Sequence, residues 1–408
     1  MTAPTTLPGP TIPVLGEGRW PSVLLICDRW SPARGAISKF NRALAIAFAQ
    51  AGHRTTCLVE RASQQERRDA ESFGVTLRMA ERTPAGPNFY LPSAAVLDSQ
   101  PDVVVGHDVV TGSVAWTYAR KYLKTSKLVL IVHSAPNEPY EQLGEIPRPR
   151  DAREGEICGI EADLVAAVGP KLTREAEGIV GDGFGSVPVL QLDPGMHIPT
   201  THAGRTREVP RNMNVTMTCR TGHIRLKGLD IVSAAIAEVT GQPRPRLLIQ
   251  GPPRDKCVAL HERLLVISQL PTDRLDVRPF KEDFLEIGRE IGRSALFVLP
   301  ARVEGFGLAA LDAISLGTPI LVSDQSGIAE TLRAHLGEDA DPFIVDVVDD
   351  PGRDIPRWRE AIQRVLANPR KAFIDAHELR DRLAGAMRWD LTVSTLVTRL
   401  AIPVPRMS

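Results

Sequence analysis

The feature with most chemical potential is a carboxylate beside a Gly-x-Gly turn. The segment Pro300-Ala301-Arg302-Val303-Glu304-Gly305-Phe306-Gly307-Leu308 follows the apolar run Ser294–Leu299 and leads into a helical pattern. Gly305 and Gly307 let a backbone approach a ligand closely, and the N–H groups opening a helix near Leu308 offer an anion site. Glu304 precedes the glycines, Asp312 stands eight residues after it, and a second apolar run ends in the glycine loop Ser323–Glu330. A basic pair marks another strand end: Asn214–Cys219 runs into Arg220, and Lys227-Gly228 precedes the helical stretch Ile231–Val239. A guanidinium fork and an ammonium so placed suit a diphosphate, because Arg binds it bidentately and Lys acts as a point charge. Two solvated charges beside a glycine turn are the alternative.

Such loops need strands to hold them. Short β-branched runs alternate with longer amphipathic stretches, the pattern of βα units on a parallel sheet, and the alternation occurs twice. Ser22–Cys27, Thr55–Glu60, Asp102–Gly106, Lys127–His133, Asp163–Val168 and Val187–Leu192 read as strands buried on both faces, with helices such as Ser38–Gln50 between them. After the Pro/Gly/Thr/Arg-rich linker Pro194–Pro210 come Asn214–Cys219, Arg246–Gln250, Ser294–Leu299, Pro319–Val322 and Phe343–Val347. The expected fold is α/β, two Rossmann-like doubly wound domains facing across a cleft, with ligands outside the carboxyl ends of the strands. The expected divisions are a flexible segment 1–20, domains 21–200 and 201–385, and a final helical segment 386–408. The stretch Ser134–Arg150, with four prolines after a strand end, suits an acceptor loop, and the charged run Gln64–Glu71 suits a solvated helix face.

At 408 residues, 43% hydrophobic and 24% charged, the chain has the make-up of a globular enzyme, not of a disordered or fibrous protein. Forty-nine basic residues balance 49 acidic ones, so no global field holds a polyanion and no nucleic-acid partner is expected. The five cysteines, Cys27, Cys57, Cys158, Cys219 and Cys257, show no C-x-x-C pair, which points to a reduced, cytoplasmic chain without zinc. No secretory signal or membrane-length apolar run is present. Trp116–Lys124 mixes aromatic and basic residues at helical spacing; an ordinary half-buried helix is favoured over peripheral membrane contact.

The segment Phe297–Glu330, FVLPARVEGFGLAALDAISLGTPILVSDQSGIAE, closely resembles the nucleotide-sugar signature of retaining GT-B-fold glycosyltransferases of the sucrose-synthase-like and glycogen-synthase-like group, family 4 type. Arg220, Lys227–Gly228, Ala162–Gly169, Leu192–His197, Pro101–Asp108 and Val129–Ser134 extend the likeness over most of the chain. The C-terminal MRWDLTVSTLVTRL is similar to the family's final helix, which crosses back to the N-terminal domain. The resemblance implies a metal-independent, retaining, front-face hexosyltransferase that binds the nucleotide diphosphate sugar mainly on the second domain and a small-molecule or glycan acceptor mainly on the first. No cofactor is implied, the donor being a co-substrate, and UDP-, GDP-, ADP- and dTDP-sugars stay open.

By the same resemblance Arg220 and Lys227 hold the diphosphate. Glu304 contacts the donor-sugar hydroxyls, and the backbone N–H groups of Gly305, Phe306 and Gly307, with Leu308, complete the cradle. The ribose ligand of the family is a glutamate; here it is Asp312, about 1.5 Å shorter in reach. The spacing from Arg220 to Lys227 is about two residues longer than the family's usual loop. The family's paired glycines after the first strand are reduced to Gly35, and the adjacent Arg34 suits phosphates or an anionic acceptor. His133 matches a donor-sugar histidine or is a satisfied structural one. His107 and Asp108 bind acceptor hydroxyls or cap the next helix. Pro279 and Phe280 resemble the turn whose backbone reads the nucleobase, with core packing of Phe280 as the other reading. Glu330 matches the acid of the last glycine loop or is a helix N-terminal charge. Asp339-Ala340-Asp341 reads as surface and not as a metal-binding D-x-D. A nucleotide-sugar-binding module or a donor hydrolase of the same fold is the competing function.

Overall fold

A computed structural model describes residues 20–32, 35–134, 161–181, 187–199, 204, 206–219, 223–240, 244–281 and 284–401. The first sheet is built from β1 (Val23–Ile26), β2 (Thr55–Val59), β3 (Val75–Met79), β6 (Val103–His107), β7 (Lys127–Val132), β8 (Leu164–Val168) and β9 (Val189–Leu192). A hairpin, β4 (Glu81–Thr83) and β5 (Gly86–Asn88), stands apart from it. The second sheet comprises β10 (Asn214–Thr218), β11 (Arg246–Gln250), β12 (Leu275–Arg278), β13 (Leu296–Leu299), β14 (Ile320–Ser323) and β15 (Ile344–Val345). The strand orders are β3-β2-β1-β6-β7-β8-β9 and β12-β11-β10-β13-β14-β15, and every pairing within both sheets is parallel.

Parallel strands must be covered on both faces, which is why their interior members are unbroken apolar runs such as Val23–Ile26 and Leu296–Leu299, buried throughout. In the first sheet the order reverses between β1 and β6, and in the second between β10 and β13. Loops leaving the carboxyl ends of these strand pairs splay apart and open a crevice, so each sheet presents one natural binding mouth. The loops carrying Gly35 and His107 leave the first reversal, and those carrying Lys227 and Glu304 leave the second.

The two halves touch directly. Lys171 Nζ, on the helix Gly169–Gly181, donates to the Gln325 carbonyl at 2.7 Å, and Arg174 grips Glu330 with two bonds of 2.6 and 2.7 Å. Leu172 and Phe306 belong to one buried cluster that reaches both sheets. The last helix, Trp389–Arg399, returns to the first half as the resemblance implied. There the Trp389 ring meets Phe40 edge-on at 5.2 Å, and the Met196 N–H donates to the Met387 carbonyl at 2.9 Å.

Differences from the sequence reading concentrate at edges. β3 and β12 close one end of each sheet and the hairpin lies outside them; each edge strand is buried only at its first residue, Val75 or Leu275, and Asp276 and Arg278 within β12 pair with each other, so no apolar run marks them. The first-sheet strands at Lys127 and Val187 and the second-sheet strands at Ser294 and Phe343 are each shorter than the apolar runs suggested, and the one expected at Pro319–Val322 keeps its length but starts one residue later. Trp116–Lys124 is the expected half-buried segment: the helix Asp108–Thr117 widens into a π-helical turn, Tyr118–Tyr122, with Tyr118, Ala119 and Leu123 buried. Among the described residues no helix is long and apolar enough to cross a membrane. Cys27, Cys57, Cys219 and Cys257 are buried and form no disulfide among the described residues, and Cys158 lies outside those residues, as does Ser134–Arg150 beyond Ser134.

Candidate active site

Between the sheets lies a cavity of about 240 Å³, lined from the first half by Pro32, Gly35, Ala36 and Lys39 and from the second by residues that include Glu304, Gly307, Leu308 and Asp312. Gly35 caps the helix Ala36–Gln50, which has no acidic residue of its own in the first turn and no side-chain cap; Gly35 and Ala36 line the cavity, and Asp28 accepts from the Ser38 hydroxyl of that turn at 3.2 Å. Opposite it begins the helix Leu308–Ser315.

Glu304 lines the cavity and Lys227 stands beside it, Lys227 Nζ donating to Glu304 Oε2 at 2.9 Å, with 29% of the lysine and 22% of the glutamate side chain exposed. Local backbone explains the meeting. Gly228 caps the helix Leu229–Glu238 at φ 65°, and a Cβ there would lie 1.9 Å from the Pro300 carbonyl oxygen. Only glycine lets the chain cross the end of β13 at that height, and the crossing sets Lys227 over the start of the Glu304 loop.

A residue the sequence did not single out fastens the two loops together. Arg302, 2% exposed, donates two bonds to Asp230 at 2.9 and 3.0 Å, one to the Arg225 carbonyl at 2.6 Å, and another to Asp349. Burial disfavours its charge, yet the bonds to Asp230 and then Asp349 hold its pKa above the ordinary value. A lysine cannot span three acceptors with one planar fork. Arg302→Lys should therefore cost about 1–3 kcal/mol, read as a lower denaturant midpoint; an unchanged midpoint would refute the clamp.

The glycine cradle is only partly what its sequence suggested. A Cβ at Gly305 would stand 2.9 Å from the His133 carbonyl, so the close approach that demands glycine is to the other half of the protein and not only to a ligand. Phe306 is 3% exposed and packs on Gly169, which leaves its backbone alone as a ligand contact. Among the described residues the N–H groups of Gly305, Phe306 and Gly307 have no acceptor.

Asp312 forms an ion pair with Lys39 across the cleft, linking the helix Leu308–Ser315 to the helix Ala36–Gln50. The expected ribose ligand is thus already engaged, and any ribose must compete with an ammonium. With side chains 23% and 28% exposed, such a pair contributes about 0.2–1 kcal/mol. Lys39→Met should tighten nucleoside diphosphate binding by up to about fivefold in calorimetric titration. Weaker binding would place Lys39 on the phosphates instead.

Phe280 lines the cavity, but the backbone edge of its turn is partly occupied: the Pro279 carbonyl accepts from Gln250 Nε2 at 3.0 Å, and the Phe280 N–H donates to the Pro252 carbonyl at 2.9 Å. The Phe280 N–H is thereby taken, whereas the Pro279 carbonyl keeps a second lone pair. Gln250, buried at the end of β11 and also lining the cavity, has an Oε1 without a partner among the described residues.

His107 is corrected more sharply. It is 1% exposed with both ring nitrogens bonded, Nδ1 to His133 Nε2 and Nε2 to Asn41 Oδ1, each at 2.9 Å, so no acceptor hydroxyl reaches it. Burial pushes its pKa down to about 3. Burial, and then His107, push that of His133 well below the usual range. Asp108 accepts from the His133 N–H at 2.7 Å and the Ser134 hydroxyl at 3.3 Å, an assignment to loop support and not to an acceptor. His133 reaches the interface through Gly305 but is not on the cavity lining.

Arg34 and Arg220 lie outside the described residues. Glu330 is held by Arg174 and is interface, and Asp339 and Asp341 are exposed, Asp339 pairing with Arg382. A more open hollow of about 430 Å³ runs along His223–Leu226 and Arg263; of the expected site residues it contains none. Among the described residues no three metal-ligating side chains cluster.

A family model described as family 4 glycosyltransferase in conflict systems matches residues 24–396. The D-inositol 3-phosphate glycosyltransferase of Acidothermus cellulolyticus is 27% identical over 317 residues, covering 72% of this chain and 66% of that protein. The glycogen synthase of Mycobacterium tuberculosis is 30% identical over 125 residues, 30% of this chain and 28% of that one. The chain thus spans just under two thirds of the first of these relatives and under a third of the second. Among solved structures, sucrose-phosphate synthase from Thermosynechococcus elongatus superposes with a TM-score of 0.67 at 18% identity, covering 93% of this chain and 98% of that one. Anabaena Alr3699/HepE in complex with UDP-glucose gives 0.67 at 14% identity, covering 93% and 99%. At these identities the structures carry the fold, and the fold is GT-B. Through the match over 24–396, the chain belongs to the family 4 glycosyltransferases described in conflict systems.

Proposed function

We propose that the chain is a retaining glycosyltransferase that moves a hexose from a nucleotide diphosphate sugar to a small-molecule or glycan acceptor without a metal. The observation that carries this reading is the Lys227–Glu304 pair, whose carboxylate lines the same cavity as Gly35 and Ala36 at the start of the opposite helix. One position supplies positive charge for a departing diphosphate, and the carboxylate beside it suits sugar hydroxyls. Support also comes from the Anabaena neighbour, whose structures hold UDP-glucose, or UDP and glucose.

In the proposed step the bond between anomeric carbon and phosphate oxygen breaks, its electron pair leaving with the diphosphate. The acceptor oxygen bonds to the same face of that carbon, and its proton passes to the departing phosphate oxygen. Lys227, with Arg220, offsets the charge that develops, as fixed donors do without reorganisation. Backbone N–H groups of Gly305–Gly307 and the start of the helix Leu308–Ser315 complete the anion cradle.

The test incubates the chain with UDP-, GDP-, ADP- and dTDP-glucose and an acceptor panel that begins with D-inositol 3-phosphate, after the relatives' name. An α-linked product from an α-donor, by the anomeric proton resonance, is the expected result. A β-linked product would contradict retention. Nucleotide release at equal rate with and without acceptor would favour the donor hydrolase.

A further inference from the structure

Three buried polar side chains line up behind His133. Asn41 is fully buried within the apolar stripe Phe40, Leu44, Ala45 and Phe48 of the helix Ala36–Gln50. Its Nδ2 donates to Cys57 Sγ at 3.3 Å, which turns Oδ1 toward His107. Facing an amide oxygen, His107 Nε2 must carry the hydrogen, and a neutral ring then has a bare Nδ1. That nitrogen lies 2.9 Å from His133 Nε2, so His133 must donate from Nε2 and its own Nδ1 is left bare. Among the described residues Nδ1 of His133 has no partner.

Ring orientation is fixed separately. Phe40 meets the His133 ring edge-on at 4.8 Å and is backed by Trp389 of the returning helix at 5.2 Å. The His133 backbone carbonyl abuts Gly305, so this residue belongs to the contact between the first half and the Glu304 loop.

We infer that Asn41 and His107 are positioning residues that lock His133 as its Nε2–H tautomer, so that the residue offers a hydrogen-bond acceptor, Nδ1, to a substrate hydroxyl at the domain interface. The inference rests on the glycosyltransferase reading for its substrate and on side-chain geometry for the lock. A locked acceptor selects a ligand group that can donate, a hydroxyl, and rejects an ether, a carbonyl or an unprotonated phosphate oxygen at that place, because two acceptors with no hydrogen between them repel.

The test is long-range proton–nitrogen NMR on the full chain labelled with ¹⁵N-histidine, the two rings being assigned from His107→Gln and His133→Gln spectra. In the wild type both rings should show a protonated Nε2 and a bare Nδ1. A His133 ring protonated at Nδ1 would mean that the chain of bonds runs the other way, and would overturn the proposal. Asn41→Leu removes the terminal acceptor at similar volume. His133 should then sample both tautomers, with kcat about tenfold lower and nucleotide affinity unchanged. An unaltered His133 tautomer in that variant would overturn the role of Asn41. The wild-type spectrum is decisive even if the variant does not fold. It also separates the two readings: the expected tautomers without sugar transfer would count against the glycosyltransferase and support the lock.

Discussion

Lys227→Ala is expected to slow sugar transfer by about 100-fold or more, the scale of losing one fixed charge partner of a developing anion. Lys227 stands at the start of a helix by virtue of Gly228 and is bonded to Glu304, which lines the cavity. A diphosphate carries more charge than one carboxylate and can draw the ammonium away from Glu304. Steady-state rates at saturating donor isolate the effect, because loss of a transition-state contact lowers kcat and not only apparent affinity. A variant with wild-type kcat and a raised KM would move Lys227 from leaving-group stabilisation to ground-state binding.

Glu304→Gln is expected to act differently. Transfer should fall by a comparable factor, about 100-fold, while nucleoside diphosphate binds at least as tightly as before. The reason lies in the pair itself: a neutral amide no longer competes for the Lys227 ammonium, which then meets the diphosphate without first leaving a carboxylate. Calorimetry with the nucleotide and turnover with the donor sugar separate the two effects. Parallel loss of both would remove Glu304 from the sugar and make it a part of the phosphate site. Because Lys227 and Glu304 touch, the double variant should cost less than the product of the singles.

What was legible in the sequence follows from how each residue is held. Interior strands such as Leu296–Leu299 and the Gly-x-Gly turn after them are local patterns, set by burial on both faces and by backbone conformation within a few residues. β3 and β12 escaped because an edge strand meets solvent on one side and carries charges where a central strand carries valine. Lys39 and Asp312 are 273 residues apart, and Arg302 and Asp230 are 72 apart, so neither pairing has a local signature. A signal did exist for Asn41, a polar residue inside the apolar stripe of Ser38–Gln50, which would have flagged a buried hydrogen bond. His107 misled because a histidine after a strand end looks the same whether it faces the cleft or lies one layer beneath it. Gln250 ends an apolar strand and gained interest only once its neighbours at the Pro279 turn were known.

The most direct test of the account is thermal unfolding of the wild type and Lys227→Ala with UDP, GDP, ADP and dTDP. A ligand at 100 times its dissociation constant stabilises by about 2.7 kcal/mol. A selective upward shift with one of these nucleotides is expected, reduced in Lys227→Ala. A wild type that shifts with none of them, or a variant that shifts as much as the wild type, would contradict a diphosphate held at Lys227 in the cleft between the sheets.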